Sequence, residues 1–327
     1  MSGPESSERA QGGTVAVVIP CFRVKKHVLA VVDAIGPEVS RIYVVDDACP
    51  EGSGAHVEES SRDERVQVLY RERNGGVGAA VVTGYRQAVA DGADVIVKID
   101  GDGQMDPGLV PRFVRPILAG DADYTKGNRF YDIEGLGSMP WLRFVGNALL
   151  SFVSKLSSGY WDLFDPNNGY TAIHARVAAL LPLDRLSERW FFESDMLFRL
   201  NTVRAAVVEV PMQAHYAGES SNLRPGRVLG EFAFKHLRNF GKRIFYSYFL
   251  RGFSIASVNL VVGTAMVAAG TAWGLRAWAH GSQTDTFASS GQVMLAALPI
   301  LIGVQLILAF LSFDMSNTPR SALHPRL

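Results

Sequence analysis

The sequence predicts an α/β head built on a mostly parallel sheet, followed by an amphipathic helix and a two-helix membrane hairpin. Three observations carry this. Short β-branched runs alternate with helical stretches through most of the chain, the strand ends fall on polar or special residues, and two long uncharged runs close the sequence. Strand and helix in alternation place parallel strands between layers of helix.

The elements follow in order. Residues 1–13 lack the apolar core that a signal peptide needs and are expected to be a flexible lead-in. The head is expected over 14–227. Thr14-Val-Ala-Val-Val-Ile19 reads as a strand ended by Pro20, residues 28–35 as a helix, and Arg41-Ile-Tyr-Val-Val45 as a strand ended by Asp46-Asp47. Val66-Gln-Val-Leu-Tyr70 is a third strand, residues 77–91 a helix, and Asp94-Val-Ile-Val-Lys-Ile99 a strand running into Asp100. Ligands of such sheets bind at the carboxyl ends of the strands, which is where these polar residues fall.

Composition narrows the function. The chain has 327 residues, with 32 basic against 32 acidic, so there is no general electrostatic case for a nucleic-acid partner. Cys21 and Cys49 are too few for a disulfide framework and are read as reduced thiols.

The tail decides location. Residues 253–275 and 292–313 contain no charged residue, and each exceeds the roughly 20 residues a helix needs to cross a bilayer core. Lys235, Arg238, Lys242, Arg243 and Arg251 precede the first run and Arg320 and Arg326 follow the second. The positive-inside bias therefore predicts a cytoplasmic head, a hairpin over 252–314 and a cytoplasmic tail over 315–327. Over 228–251, the apolar residues Val228, Leu229, Phe232, Leu237, Phe240, Ile244, Phe245 and Tyr248 recur near helical spacing. They suit either a helix lying on anionic lipid or one packed on the head.

Asp100-Gly-Asp102-Gly-Gln104 is the richest motif for chemistry. Two carboxylates and an amide at alternate positions of a strand-end turn suit a hard cation that in turn bridges nucleotide phosphates, although Asp and Gly also favour plain turns. Gly76-Val-Gly78 before a helix lacks the third glycine of a dinucleotide fingerprint and follows the third strand, so close helix packing explains it better.

The motifs together resemble family 2 glycosyltransferases of the GT-A fold, and within them the polyprenyl-phosphate glycosyltransferases related to dolichyl-phosphate mannose synthase. Val18-Ile-Pro20-Cys-Phe22 is similar to the family's opening segment, Val44-Val-Asp46-Asp47 to its nucleoside-binding acids, and Asn74-Gly-Gly76-Val-Gly78-Ala79 with Gly84 to its glycine loop and helix. Asp100-Gly-Asp102-Gly-Gln104-Met-Asp106-Pro107 is similar to its acidic signature. Lys126-Gly-Asn-Arg129-Phe130 and Asp165-Pro-Asn-Asn168-Gly169-Tyr170 resemble two turns that line the donor. Trp190-Phe-Phe-Glu193-Ser-Asp195 resembles the stretch supplying an acid near the acceptor.

The resemblance implies an enzyme that moves a hexose from a UDP- or GDP-sugar to a polyprenyl phosphate with inversion, aided by Mg²⁺ or Mn²⁺. It implies metal ligands at Asp100, Asp102 and Gln104, donor contacts at Pro20, Phe22, Asp46, Asp47, Gly76, Asp100, Arg129, Asn168 and Gly169, and catalytic roles for Asp102 and for Asp195, with Glu193 as the alternative acid. A lipid phosphate is already largely ionised, its second pKa being about 6, so that acid need not act as a strong base. Ser220, Ser221 and Arg224 would hold the acceptor phosphate. The sequence departs from the family there: His215 or Tyr216 stands where Arg is expected and Asn222 where Lys is expected.

Tetramers occur among similar proteins, so a homo-oligomer is one of the partners the resemblance admits. A processive synthase would carry Gln-x-x-Arg-Trp after the acceptor acid, whereas Arg189-Trp190 precedes Asp195 and lacks the Gln. A different membrane acceptor, such as a diacylglycerol or a lipid-linked oligosaccharide, and a non-catalytic membrane scaffold are the remaining alternatives.

Overall fold

A computed structural model describes residues 13–131, 141–213 and 225–327. The chain divides into two compact units, one formed by the head with residues 319–327 and the other by 241–318.

The head runs β1 (Val15–Cys21), α1 (Val28–Asp33), β2 (Arg41–Asp46), α2 (Ser53–Ser60), β3 (Val66–Tyr70), α3 (Val77–Ala90), β4 (Val95–Lys98), α4 (Val110–Leu118), β5 (Tyr124–Asn128), α5 (Trp141–Ser158), β6 (Thr171–His174), α6 (Ala175–Leu180), α7 (Phe192–Thr202) and β7 (Val207–Pro211). The strands form one sheet in the order β3-β2-β1-β4-β6-β5-β7. Among the described residues, only the two pairings made by β6 are antiparallel. The expected mostly parallel α/β architecture is present.

β1 shows why these runs are apolar without alternation. Ala16 and Val18 face the layer of α3, α6 and α7, while Val15, Val17, Ile19 and Cys21 face the layer of α1 and α4. Both faces are covered, so every position is buried. α3 lies close across β1, and a Cβ on Gly84 would sit 2.3 Å from Val18.

Two expectations shift. β1 does not stop before Pro20 but continues to Cys21, pairing Pro20 with Val45. Val18 accepts from Ile99 N–H, so Pro20, two residues on, faces the same neighbour, β4, whose ladder has already ended opposite Val18. The missing N–H therefore has no acceptor to disappoint. α2 was not expected: its eight residues carry one buried apolar side chain, Val57, too little for a periodic signal.

Residues 319–327 belong to the head. The buried Asp123, just before β5, accepts N–H bonds from Leu323, His324 and Ala206, and His324 Nδ1 lies 2.8 Å from its Oδ1. The His324 ring stacks on His174 at 4.1 Å.

α8 (Pro225–Phe245) packs on the head through His236 and Asn239, which are 3% and 1% exposed, while Phe234 and Leu237 stay exposed. Ser157 Oγ lies 2.8 Å from His236 Nδ1, and Phe191 meets the rings of Phe232 and His236. The buried stripe thus carries paired polar groups. Apolar periodicity, which placed Leu237 on it, does not register such a stripe.

In the second unit, α9 (Ile255–Thr284) and α10 (Ser290–Ser316) form a hairpin of two helices long and apolar enough to cross a membrane. α9 outruns the expected span, continuing through Arg276 and His280 to a left-handed Asp285. Glycines let the two backbones approach: a Cβ on Gly263 would lie 2.8 Å from Gly303 O, and one on Gly270 2.7 Å from Ala296 O. Asp314 is buried within this unit with Arg243 at 2.6 and 2.9 Å and Tyr248 OH at 2.5 Å.

Candidate active site

The carboxyl ends of β1, β2, β4, β5 and β7, and the amino end of the reversed β6, lie along one edge of the sheet. The expected site residues that fall in the described segments lie along this edge, except Asp195, which faces away from it.

Asp46 ends β2 and Asp47 follows it, and both carboxylates are buried and engaged by backbone. Asp46 accepts from Cys49 N–H and Gly54 N–H, each at 2.7 Å, fixing the start of α2. Asp47 accepts from Gly75 and Gly76 N–H at 3.0 and 2.7 Å and lies 3.4 Å from Arg71. Of the expected donor contacts, Asp47 and the Gly76 N–H thus hold each other, while Asp46 is held by Cys49 and Gly54. Gly76 has φ +95°, and a Cβ on Gly78 would lie 2.3 Å from Ser187 O. The glycine loop is a close-packing device, as the two-glycine spacing suggested. Pro20 lies within β1, and Phe22 just beyond it is 41% exposed, with the Arg23 guanidinium 5.4 Å from its ring centroid.

The acidic turn begins where β4 ends. Gly103 at φ +79° turns the chain so that Asp102 Oδ1 accepts from Gln104 N–H at 3.0 Å. Asp100, Asp102 and Gln104 are all partly exposed. Beneath the turn is Lys98, 1% exposed, with its Nζ 2.8 Å from Asp100 Oδ1 and 3.4 Å from Glu193 Oε1. Asp100 Oδ1 is buried without an aligned hydrogen bond, so the Lys98 contact is one of charge. Burial alone would pull the Lys98 ammonium down, but Asp100 and Glu193 hold it above the ordinary lysine value.

Two turns close on this group. Gly169 is pressed against it: a Cβ there would lie 2.8 Å from both Asp100 Oδ2 and Lys98 Nζ. Arg129 donates from Nε and Nη2 to Asp165 at 2.8 and 3.1 Å, and Asn168 donates to the same carboxylate at 3.3 Å. Glu209 on β7 fastens both turns, accepting from Phe164 and Asp165 N–H at 2.6 and 2.7 Å and from Asn128 Nδ2 at 2.8 Å. The buried Lys126 donates to Asn168 O, and burial lowers its pKa to about 8.

The acceptor acid comes out differently from the expectation. Asp195 is 1% exposed; its oxygens accept from Ser187 N–H at 2.9 Å, Arg199 at 3.2 Å and Asn239 at 3.0 Å. Such a carboxylate is saturated and shielded from a substrate. Glu193, sharing Lys98 with Asp100, is the acid at the edge. Ser220, Ser221 and Arg224 lie outside the described residues, as do His215, Tyr216 and Asn222. A cleft of about 350 Å³, lined by Asp106, Leu109, Arg112, Tyr131 and Met212, opens beside the acidic turn on the β7 side.

Lys98 and Glu209 escaped the sequence reading, although Lys98 left a trace. A lysine inside a run that must be buried on both faces implies paired carboxylates nearby.

A divalent cation fits the chemistry of the acidic turn. Its donors are oxygens only, which suit Mg²⁺ or Mn²⁺, and Asp100, Asp102 and Gln104 are all partly exposed. Among the described residues, no three His, Cys, Asp or Glu side chains form a closed cage, so water or substrate oxygens would complete the shell.

The comparisons agree with this geometry. The family profile of glycosyl transferase family 2 matches residues 16–180. An undecaprenyl-phosphate mannosyltransferase from Micrococcus luteus is 30% identical over 201 residues, covering 61% of this chain and 81% of that protein. A UDP-N-acetylglucosamine–dolichyl-phosphate N-acetylglucosaminyltransferase from Methanococcus voltae is 27% identical over 62% of this chain and 86% of that one. Among solved structures, glucosyl-3-phosphoglycerate synthase from Mycobacterium tuberculosis, in complex with Mn²⁺, UDP-glucose and phosphoglyceric acid, superposes with a TM-score of 0.52 at 22% identity, over 71% of this chain and 80% of that one. The fold is thus GT-A, and the chain is a nucleotide-sugar-dependent glycosyltransferase that belongs to glycosyl transferase family 2.

Proposed function

We propose that the chain transfers a hexose from a nucleotide-sugar to a polyprenyl phosphate at the cytoplasmic face of a membrane, with inversion at the anomeric carbon. The observation that carries this reading is the convergence of Asp100, Asp102, Glu193 and the Gly169 turn on one sheet edge, in a chain that also holds two helices long enough to span a bilayer. The relatives that act on polyprenyl phosphates support the choice of acceptor.

The residues divide the work. The ring of Phe22 flanks the nucleoside, and Asp46 and Asp47 hold the loops around it. Asp100, Asp102 and Gln104 would hold Mg²⁺ or Mn²⁺. That cation would supply several kcal/mol of stabilisation, at about the level usual for Lewis acids, to a leaving diphosphate whose charge grows as the sugar bond breaks. Arg129, fixed by Asp165, presents its exposed edge toward phosphate oxygens, and the Asn168-Gly169 turn bounds the sugar. Glu193 orients the lipid phosphate, whose oxygen is ionised enough to attack unaided. Confined to the same membrane as the enzyme, the lipid meets the donor at reduced entropic cost.

The test is to offer the full chain in lipid nanodiscs UDP-, GDP- and dTDP-sugars with undecaprenyl phosphate and Mn²⁺, and to follow glycolipid by mass spectrometry. A monophosphate-linked sugar lipid from one donor is the expected product. Product only with a lipid lacking phosphate would overturn the acceptor, and the residues at 215–222, which depart from the family pattern, make diacylglycerol the first such lipid to try.

A further inference from the structure

We infer that Lys98 is a built-in counter-ion which keeps the Asp100–Gln104 turn weak for divalent cations until a nucleotide diphosphate arrives. The inference rests on the metal-assisted reading above and concerns a residue that this reading does not need.

The geometry is specific. Lys98 is the last residue of β4, and its ammonium is enclosed directly under the acidic turn, 2.8 Å from Asp100 Oδ1. A cation at that distance cancels much of the field that Asp100 would present to a metal, and it acts through a dry interior where screening is weak. The same ammonium is 3.4 Å from Glu193, so it answers to both acids and has nowhere to withdraw. Gly169 seals it in: its Cα packs so close to Lys98 Nζ and Asp100 Oδ2 that a Cβ would meet both at 2.8 Å. Thr171 Oγ1 and Tyr85 OH, also buried, accept no hydrogen bond from it, which leaves carboxylates as its partners.

A strand-end turn with two carboxylates and no such neighbour would attract Mg²⁺ or Mn²⁺ more strongly. With Lys98 beneath it, the turn keeps only part of that attraction, and the diphosphate of the donor supplies the rest. Metal and nucleotide then bind as a positively coupled pair, each raising the other's affinity by the same factor. A purely structural lysine would make the opposite prediction, because losing it would loosen Asp100 and weaken the metal site.

The experiment measures Mn²⁺ binding to the nucleotide-free full chain by electron paramagnetic resonance. Lys98→Met should bind Mn²⁺ about tenfold more tightly than wild type, the size expected for removing one neighbouring charge. Lys98→Arg should stay within about twofold of wild type, since the charge remains. Equal or weaker Mn²⁺ binding by a folded Lys98→Met would overturn the inference. Lys98→Gln, which keeps much of the side-chain length and loses the charge, serves where Lys98→Met does not fold: about tenfold tighter Mn²⁺ binding is again expected, and equal or weaker binding sinks the proposal. Asp102→Asn separates the two readings. Loss of nucleotide-dependent Mn²⁺ binding in that variant upholds the metal site even where the Lys98 inference fails, and its retention removes both.

Discussion

Glu193 and Asp195 lie two residues apart at the start of α7, yet they belong to differently built regions. Asp195 faces α8 and the 187 loop, where a backbone N–H, a guanidinium and an amide occupy its oxygens. Glu193 faces the sheet edge, where its recorded partner is a lysine it shares with Asp100. Asp46 and Asp47 side with Asp195, and Asp100 with Glu193. A carboxylate whose acceptor sites are filled by fixed donors holds the fold together. One balanced mainly by a shared charge and partly open to solvent remains available to a ligand.

This contrast can be broken by substitution. Asp102→Asn should lower turnover about a thousandfold, or about 4 kcal/mol of barrier, while leaving the melting temperature unchanged, because it removes charge where the transition state needs it. A drop of less than tenfold would move Asp102 into the structural class. Asp195→Ala should do the reverse, costing about 3 kcal/mol of stability by leaving Ser187 N–H and the buried Asn239 amide without their acceptor, with turnover of the folded protein within tenfold of wild type. Denaturant titration and initial rates on the same sample check both halves.

Acid should weaken the head next. Burial, with His324 stacked alongside, lowers His174 to about 4, and burial lowers His236 to about 4 as well. Both are neutral in the folded head and titrate near 6.5 when unfolded. The stability they contribute is complete above pH 6.5 and is lost as pH falls toward 4, by up to about 3 kcal/mol for each imidazole. Melting curves across that window should flatten in His236→Asn. The smallest effect is expected from Gly169→Ala, whose methyl must displace Asp100 or Lys98, lowering turnover about tenfold with little change in stability. Unchanged turnover would show that the edge tolerates movement of Asp100.

Much of the fold was legible because its signals are local. The β-branched runs of β1, β2 and β4, the helix after Gly76 and the two long uncharged runs need no knowledge of partners. Pro20 was misread because its effect depends on where the neighbouring strand ends, and α8's buried face was missed because it is made of His236 and Asn239 rather than leucines. The docking of the C-terminal residues on the head is not legible in the sequence, because nothing in their composition announces Asp123, some 200 positions away.

The sequence by itself determined the family, the strand-end placement of Asp100-Gly-Asp102-Gly-Gln104 and the presence of two helices fit to span a membrane, since motif order and apolar length are written along the chain. Only the tertiary structure decided which acids are held and which are open. It put Lys98 under the turn, saturated Asp195 and brought Glu193 to the edge, because a carboxylate's role depends on donors supplied by residues distant in sequence and close in space.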